Sequence, residues 1–420
     1  MRNARFVWII LGIMMLLDFY VFQALKVVSQ NLSQKTKMFI YGGYWTISIA
    51  VLLFLVILPF INFFDWPAHF RNYIFAIIVG LLFAKLFASV FLLIDDIRRL
   101  IQWASGKLFF RNTEGETISS EGISRSIFLS WVGLGIGGGL FSTLMYGFSN
   151  KYNYKIRRVQ LSFENLPKSF KGLKIVQISD IHSGSFTDKK AVDRGIDMVL
   201  KENADLILFT GDLVNDRAVE MNDYTDIFSK LKAPMGVYSI LGNHDYGDYY
   251  YGAHATGEMA IEKANNLEHL KQVHAQLGWR LLLDEHVPLQ KNNEKIALIG
   301  VQNISGRKTF HSYGDLSKAY AGSEIYPFKI LMSHDPSHWD KEVTNKYKDI
   351  DLTLAGHTHG MQFGIEIPGF KWSPVQYVYK EWAGLYEEGK QKIYVNRGYG
   401  FIGYPGRVGI LPEITVIELA

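Results

Sequence analysis

The sequence predicts a bundle of four transmembrane helices followed by a layered α/β domain. Apolar residues crowd into the first 150 of the 420 positions, in stretches long enough to cross a bilayer. After Tyr154 the pattern changes to short apolar runs separated by polar helical stretches, which is typical of alternating strands and helices. We therefore expect a transmembrane domain over residues 1–150 and an α/β domain over residues 155–420.

The transmembrane prediction rests on four segments, each near or above the ~20 apolar residues that span a bilayer. Buried helices of a soluble protein are the alternative, but they rarely run that far without a polar face. A cleaved signal peptide is a second alternative for the first segment. Its apolar run is long and no small-x-small cleavage site follows, so we expect a retained helix. The segments are residues 6–28, 38–64, 72–94 and 126–148.

Charged and small residues inside these segments bear on how the helices pack. Asp18 and Lys85 lie near mid-span, where an isolated charge costs at least ~2.5 kcal/mol, so we expect them to pair. The alternative is that each faces water or headgroups separately. The fourth segment holds glycines at the four-residue spacing that lets helices approach closely, unless lipid simply tolerates them. These pairs are Gly133 with Gly137, and Gly135 with Gly139.

Charge and cysteine content exclude several other classes of protein. The formal net charge is +4 with both signs mixed, so no basic stripe indicates nucleic-acid binding. The absence of cysteine excludes disulfides, thiolate metal ligands and a cysteine nucleophile. Lys and Arg divide almost evenly between the two sides of the predicted bundle, so their distribution does not assign the side of the membrane on which the α/β domain lies. The sequence also does not indicate an oligomeric state.

Five predicted strands of the second domain each end in a polar cluster. Ligands bind at the carboxyl ends of strands in open α/β sheets, so we expect these clusters to converge on one site. The strands are residues 174–179, 205–210, 236–241, 328–333 and 351–354, and residues 189–203 and 258–278 are predicted to be helical. The clusters that follow the strands are Asp180-x-His182, Gly211-Asp212, Gly242-Asn243-His244-Asp245, His334 and Gly356-His357-x-His359.

Carboxylate, imidazole and amide oxygen ligands together suit divalent ions such as manganese, iron and zinc. Each residue alone has an ordinary explanation: Asp212 as a helix cap, Asn243 as part of a turn, His334 as a hydrogen-bonded side chain. Their joint occurrence at five strand ends favours a metal site instead.

These motifs, all present and in order from about residue 170 to 420, resemble the calcineurin-like metallophosphoesterase superfamily. Asn396–Gly400, Pro405, Arg407 and Pro412–Ile414 further resemble its membrane-associated bacterial branch. Some relatives in the superfamily cleave the pyrophosphate of UDP-2,3-diacylglucosamine in lipid A synthesis. The resemblance implies an α-β-β-α sandwich, a metal-dependent phosphoric ester or pyrophosphate hydrolase, and a multi-pass protein of the bacterial inner membrane.

The resemblance also implies roles for individual residues, with two divalent ions (Mn²⁺, Fe²⁺ or Zn²⁺) activating the attacking water. His244 would stabilise the phosphate or protonate the leaving group. Met361 replaces a usual glycine, and Asn215, beside Asp216, replaces the aspartate that orients the histidine in some relatives, which leaves that orienting group open. The first metal would be held by Asp180, His182, Asp212 and His359, and the second by Asp212, Asn243, His334 and His357, with Asp212 bridging.

Three hypotheses for the substrate stay open. The first is an amphiphile with a phosphodiester or pyrophosphate bond, such as a nucleotide-diphospho-lipid, and the second is a soluble phosphodiester, with the helices serving only as an anchor. In the third, the protein is a non-catalytic membrane sensor or scaffold and has no substrate. Aromatic residues in segment 363–386 either contact a lipid, a base or the membrane interface, or form a small satellite core. Arg397 either contacts substrate phosphate or forms a structural salt bridge. We expect the bilayer and an amphiphilic phosphate compound as partners.

Overall fold

A computed structural model describes residues 4–61, 63, 66–109 and 125–420, which fall into two compact units, 1–146 and 147–420. The first unit contains four long helices, each apolar enough to cross a membrane. The fold class predicted from the sequence is confirmed. The helices are α1 (Ala4–Val28), α2 (Gln34–Ile57, continued by a 3-10 turn to Phe60), α3 (Ala68–Phe109) and α4 (Arg125–Gly147).

Helix α3 is longer than the predicted segment 72–94, and it continues through a charged stretch after residue 94. Arg98 lies 2.8 Å from Asp95, and Arg99 lies 3.6 Å from Asp96, each three positions further along the helix. Such pairs satisfy charges on one helical surface without interrupting the backbone. Helix α2 begins four residues before the predicted start, and the predicted end of its segment, Phe64, lies outside the described residues.

The predicted pairing of Asp18 with Lys85 is present inside the first unit. The Lys85 ammonium donates to Asp18 Oδ1, and both side chains are buried. Ser48 Oγ donates to the same carboxylate oxygen at 2.6 Å, and the Tyr44 hydroxyl donates to the Asp18 carbonyl at 2.8 Å. The pair therefore links α1, α2 and α3 through hydrogen bonds that replace those of water.

Within the described part of the chain, one of the two glycine pairs packs against another helix. A Cβ at Gly137 would lie 2.5 Å from the carbonyl oxygen of Ala84, and one at Gly133 would lie 2.9 Å from that of Ala88. A Cβ at position 135 or 139 would have no neighbour within 4 Å among the described residues. The close approach of α4 to α3 therefore depends on the first pair.

The second unit contains two six-stranded sheets. The strands of this unit are β1 (Lys155–Leu161), β2 (Lys174–Ile178), β3 (Leu206–Phe209), β4 (Val237–Ser239), β5 (Arg280–Leu281), β6 (Glu285–Lys291), β7 (Glu294–Gly300), β8 (Lys329–Met332), β9 (Leu352–Ala355), β10 (Ile365–Ile367), β11 (Phe370–Trp372), β12 (Gly384–Glu388), β13 (Gln391–Val395) and β14 (Glu413–Leu419). In the first sheet, β2 to β5 run parallel and the C-terminal strand β14 lies between β1 and β2. In the second sheet, β13, β9, β8 and β7 run parallel between antiparallel edge strands β12 and β6. Strands β10 and β11 form a separate antiparallel hairpin.

Apolar side chains from both sheets interdigitate in a buried middle layer, including Leu208 of the first sheet and Leu354 of the second. A second core packs helices on the outer face of the first sheet, and a third covers the outer face of the second around Trp339. This is the expected α-β-β-α sandwich. The helices of this unit are α5 (Lys189–Lys201), α6 (Thr225–Phe228), α7 (Asp248–Tyr251), α8 (Glu258–Gln276), α9 (Leu316–Tyr320) and α10 (Thr344–Lys346).

The buried ion pair gives the membrane unit a test by substitution. Lys85→Met leaves the Asp18 charge unpaired, so the free energy of unfolding in detergent should fall by at least ~2.5 kcal/mol. The double variant Asp18→Asn, Lys85→Met removes both charges and should recover part of that loss. Thermal denaturation measures both, with Lys26→Met, an exposed lysine, as the matched control. A double variant no more stable than Lys85→Met would contradict the pairing.

Candidate metal centre

The carboxyl ends of five parallel strands meet at one edge of the sandwich, as the sequence predicts. Gln177 of β2 ties the two sheets together there, because its amide donates to the Ala355 carbonyl of β9 at 2.9 Å. The backbone N–H of Asp180 donates to the Gly211 carbonyl at 2.9 Å, which joins the loops after β2 and β3. These bonds bring the polar clusters after all five strands into one buried site.

Two groups of side chains in this site could each hold a metal ion. Within each group the donor atoms lie within 4.8 Å of one another, and all the side chains are buried or half-buried. Burial lowers the pKa of His182 to about 3 and that of His357 to about 4, so these imidazoles are neutral, as metal ligands must be. The first group is Asp180, His182 and His359, and the second is Asp212, His334 and His357.

Asp212 lies between the two groups. Its Oδ2 atom is 3.5 Å from His182 Nε2 in the first group and 3.1 Å from His334 Nε2 in its own. Its other oxygen accepts the backbone N–H of His244 at 2.9 Å, which fixes the orientation of the carboxylate. Burial alone would raise the pKa of Asp212, but His334 and His244 hold it well below its usual range.

Three ring nitrogens in the site indicate that cations belong there. The Nε2 atoms of His182, His334 and His359 are buried and have no hydrogen-bond partner among the residues that the structure describes. For His334 the reason is clear: its Nδ1–H donates to the Thr210 carbonyl at 2.7 Å, so a neutral ring turns a lone pair toward Asp212. Burial opposes a positive charge, yet Asp212 raises the pKa of His334 to about 10. The space between these groups therefore favours a cation, and the residues fit a metal.

Asn243, a predicted ligand of the second metal, lies beside the second group. Its Oδ1 atom lies 2.8 Å from His357 Nδ1, and its amide nitrogen donates to the Tyr249 hydroxyl at 3.0 Å, which turns the oxygen toward the histidine. On the other side of the ring, His357 Nε2 lies 2.8 Å from the Tyr379 hydroxyl. Because an amide oxygen only accepts, Nδ1–H donates to it here and Nε2 accepts from the Tyr379 hydroxyl. A cation in place of the Nδ1 proton would meet the ring nitrogen and the amide oxygen together.

The backbone around the site is strained. Asp180, His182 and Asp212 have φ of 53°, 49° and 61°, and His357 and His359 have φ of 70° and 50°. This left-handed region costs non-glycine residues of order 1 kcal/mol each and is concentrated at functional sites in proteins. Five of the seven predicted ligands thus sit in a conformation that hydrophobic periodicity does not reveal.

Asp245 holds two of the loops in place, a role that the sequence did not assign to it. Its buried carboxylate accepts the backbone N–H groups of Asp212 at 2.9 Å, Leu213 at 2.8 Å and Gly242 at 2.8 Å. A Cβ at position 242 would lie 2.2 Å from Asp212 Oδ1, so only glycine lets the two loops approach so closely. Burial raises the pKa of Asp245 to about 7.

His244 lies beside the two groups and belongs to neither. Its Nδ1–H donates to the backbone carbonyl of Asn215 at 2.7 Å, so that carbonyl, and not a side chain, orients the ring. The ring stacks on Tyr249 with centroids 4.4 Å apart and meets His182 edge-on at 4.9 Å. With Nδ1 engaged, Nε2 is the ring nitrogen that could meet a ligand.

Three further expectations meet a definite outcome. Arg397 forms buried salt bridges with Glu413 and with Glu366, the latter at 2.7 Å, so the phosphate-contact alternative is wrong. Met361 has φ of 55°, the conformation for which glycine is favoured, and its side chain is exposed. Tyr379 and Trp382 are buried in a small core with Val375, so part of the aromatic segment is the satellite core that the sequence left open.

Comparison with known proteins identifies the family. A family model described as "Calcineurin-like phosphoesterase" matches residues 173–361, and one described as "Probable Calcineurin-like phosphoesterase, transmembrane domain" matches residues 3–151. The chain is 30% identical over 259 residues to the uncharacterized metallophosphoesterase YkuE of Bacillus subtilis, which covers 60% of this chain and 81% of that protein. The chain belongs to the calcineurin-like metallophosphoesterase family.

Two further relatives of this metallophosphoesterase differ in the share that matches. A "Transmembrane protein with metallophosphoesterase domain" of Danio rerio is 28% identical over 319 residues, which cover 75% of this chain and 67% of the relative. "Phosphodiesterase YaeI" of Escherichia coli is 27% identical over 250 residues, covering 59% of this chain and 82% of the relative. Family membership and the four apolar helices make the chain a membrane-associated, metal-dependent hydrolase of phosphoric esters.

The loop contacts of Asp245 generate a prediction about metal affinity. In Asp245→Asn, one oxygen that accepts backbone N–H groups becomes an NH₂ donor, which repels them and displaces the loop that carries Asp212. Support of this kind is typically worth about 10–100-fold in metal affinity. Calorimetric titration of the metal-free full-length metallophosphoesterase with Mn²⁺ measures this. The exposed Asp226→Asn is the matched control and should change nothing; unchanged affinity in Asp245→Asn would contradict the role.

Proposed function

We propose that this metallophosphoesterase hydrolyses a phosphodiester or pyrophosphate bond of an amphiphile, such as a nucleotide-diphospho-lipid, at a centre of two divalent cations. The observation that carries the proposal is the position of one Asp212 oxygen between His182 and His334. A carboxylate oxygen has two lone pairs, so this one atom could serve two cations at once. The four apolar helices of the same chain make this a membrane protein, which favours a substrate that is itself lipid-linked.

The ligands divide as the geometry groups them. Asp180, His182 and His359 would hold one cation together with Asp212, and His334, His357 and Asn243 would hold the other with the same aspartate. Cations of the manganese, iron or zinc type would supply Lewis acidity, which activates water and neutralises phosphoryl charge. The contribution of the chain is to fix these donors: Thr210 orients His334, Tyr379 orients His357, and Tyr249 orients Asn243.

His244 is the proposed catalytic residue outside the metal ligands. Its Nδ1–H is held by the Asn215 carbonyl and its backbone N–H by Asp212, so the ring cannot turn away from the site. From there Nε2 can contact a phosphoryl oxygen or deliver a proton to the leaving oxygen. Neither role requires the orienting aspartate that some relatives have at position 215, because the backbone carbonyl of Asn215 already orients the ring.

The surface beside the centre supports an amphiphilic substrate. An open groove of about 680 Å³ is lined by Lys371, Tyr377, Lys380, Trp382 and Tyr386. Val378 and Lys380, on its wall, flank Tyr379, whose hydroxyl contacts His357. The aromatic rings of this groove suit the apolar portion of a phospholipid-like substrate. A role in lipid A synthesis is one instance of this class.

Substitution of His244 tests its role independently of the metals. We expect His244→Gln to retain full Mn²⁺ content and lose about 10²–10⁴-fold in kcat. If the histidine protonates the leaving oxygen, the loss is larger for an alkyl phosphodiester than for a p-nitrophenyl phosphodiester, whose leaving group needs no proton. The exposed His254→Gln serves as the control. Loss of bound metal would contradict the placement of His244 outside the metal ligands.

Preference for an amphiphile is tested with matched substrates. The full-length protein in detergent micelles should hydrolyse a nucleotide-diphospho-lipid with a kcat/KM at least tenfold above that for the deacylated analogue, because only the former fills the apolar part of the groove. Bis-p-nitrophenyl phosphate, measured in the same micelles, controls for effects of detergent on turnover. Equal kcat/KM for both lipid analogues would favour a soluble phosphodiester, and no turnover of any substrate would favour a scaffold.

A further inference from the structure

The β10–β11 hairpin has one face that packs on the domain and one that does not. On the inner face, Glu366 accepts hydrogen bonds from Arg157 and Arg397, both at 2.7 Å. Lys371 on the neighbouring strand donates to the Ala383 carbonyl and lies 4.9 Å from the Trp382 ring centre. These contacts bind the hairpin firmly to the domain and fix which face points away from it.

The outer face is apolar. Side chains alternate along a strand, so the neighbours of Glu366 and Lys371 point the opposite way. The register pairs Ile365 with Trp372 and Ile367 with Phe370, which places all four side chains on this outer face. The hairpin tip between Ile367 and Phe370 is Pro368-Gly369 and carries no charge.

Exposed apolar side chains are concentrated here to an unusual degree. In residues 147–420, all of which the structure describes, twelve large hydrophobic side chains are exposed, and six of them lie between positions 361 and 378. A contiguous exposed apolar patch on a folded domain marks an interaction surface. The six are Met361, Ile365, Ile367, Phe370, Tyr377 and Val378.

The root of the hairpin lies next to the point where the chain leaves its last transmembrane span. That span, 125–150, includes Gly147, whose carbonyl accepts the backbone N–H of Arg407 at 2.9 Å. The next residue, Val408, exchanges backbone hydrogen bonds with Gln362 and Gly364, immediately before the hairpin. Two strand-like spacings, about 10 Å in all, therefore separate Gly147, the last residue of α4, from the hairpin root.

We propose that the outer face of the hairpin rests on the lipid bilayer, with Ile367 and Phe370 entering the interfacial layer. A bilayer is always within reach of a segment tethered this close to a membrane span. Trp372 and Tyr377 beside the aliphatic tip are the residue types that concentrate at membrane interfaces. This membrane contact stands independently of the catalytic function proposed above.

The same segment connects the bilayer to the metal centre. The chain that forms the hairpin continues to Tyr379, whose hydroxyl lies 2.8 Å from His357. Since the groove around Tyr377 and Trp382 lies on this segment, an amphiphile could reach it with its acyl chains still in the membrane. That consequence, unlike the contact itself, rests on the proposed lipid-linked substrate.

Spin labelling of the full-length chain tests the contact. The sequence contains no cysteine, so Phe370→Cys and Ile367→Cys each create a single labelling site at a side chain that is already exposed. The matched control is Ile325→Cys, an equally apolar exposed residue outside the patch. In lipid nanodiscs, labels at 367 and 370 should be more accessible to oxygen, which partitions into lipid, than to a water-soluble nickel chelate. The label at 325 should show the reverse.

Each outcome decides the proposal. Labels at 367 and 370 as accessible to the nickel chelate as the label at 325 would overturn it. Dipolar broadening between labels at 370, in place of exposure to lipid, would assign the face to a second copy of the chain and would also overturn it. An unchanged melting temperature of each labelled variant establishes that folding is intact. Because no turnover is measured, failure of the catalytic proposal leaves this result unaffected.

Discussion

The buried carboxylate of Asp212 faces two imidazole nitrogens at 3.1 and 3.5 Å, and the rest of the site depends on this arrangement. Neutral imidazole lone pairs and a carboxylate oxygen repel one another in a medium of low polarity unless a cation lies among them. The fold enforces the arrangement from several sides. Asp245 holds the Asp212 loop through backbone N–H groups, Gly242 removes the Cβ that would separate two loops, and Thr210 fixes the His334 ring.

The sequence predicted the general positions of these groups because strand ends can be recognised from the apolar runs that precede them. Each cluster follows a strand that runs parallel to at least one neighbour, so Asp180, Asn243 and His357 converge although they are far apart in the chain. The paired charges Asp18 and Lys85 were predictable for a similar reason, since lipid offers neither of them another partner.

Other features depend on local geometry that periodicity does not encode. The orienting group of His244 is a backbone carbonyl, which leaves no trace in residue identity. Arg397 was ambiguous because its partners, Glu366 and Glu413, come from a hairpin and from the C-terminal strand. The charges after residue 94 suggested the end of a helix, whereas arginines three positions further on neutralise them and the helix continues.

The candidate metal centre and the apolar face of the β10–β11 hairpin lie on one short segment of the chain. His357 and His359 lie just before the hairpin, and Tyr379 lies just after it, so the segment that presents an apolar face outward also contributes to the environment of a proposed metal ligand. The proposed membrane contact and the proposed amphiphilic substrate therefore involve the same segment.

The most direct test of the central claim is the metal content and electron paramagnetic resonance spectrum of the full-length chain loaded with Mn²⁺. The account predicts two manganese ions per chain and a spin-coupled spectrum, which requires a shared ligand, and it predicts that Asp212→Ala loses the coupling together with turnover of bis-p-nitrophenyl phosphate. One ion per chain, or an Asp212→Ala variant with undiminished coupling and turnover, would contradict it.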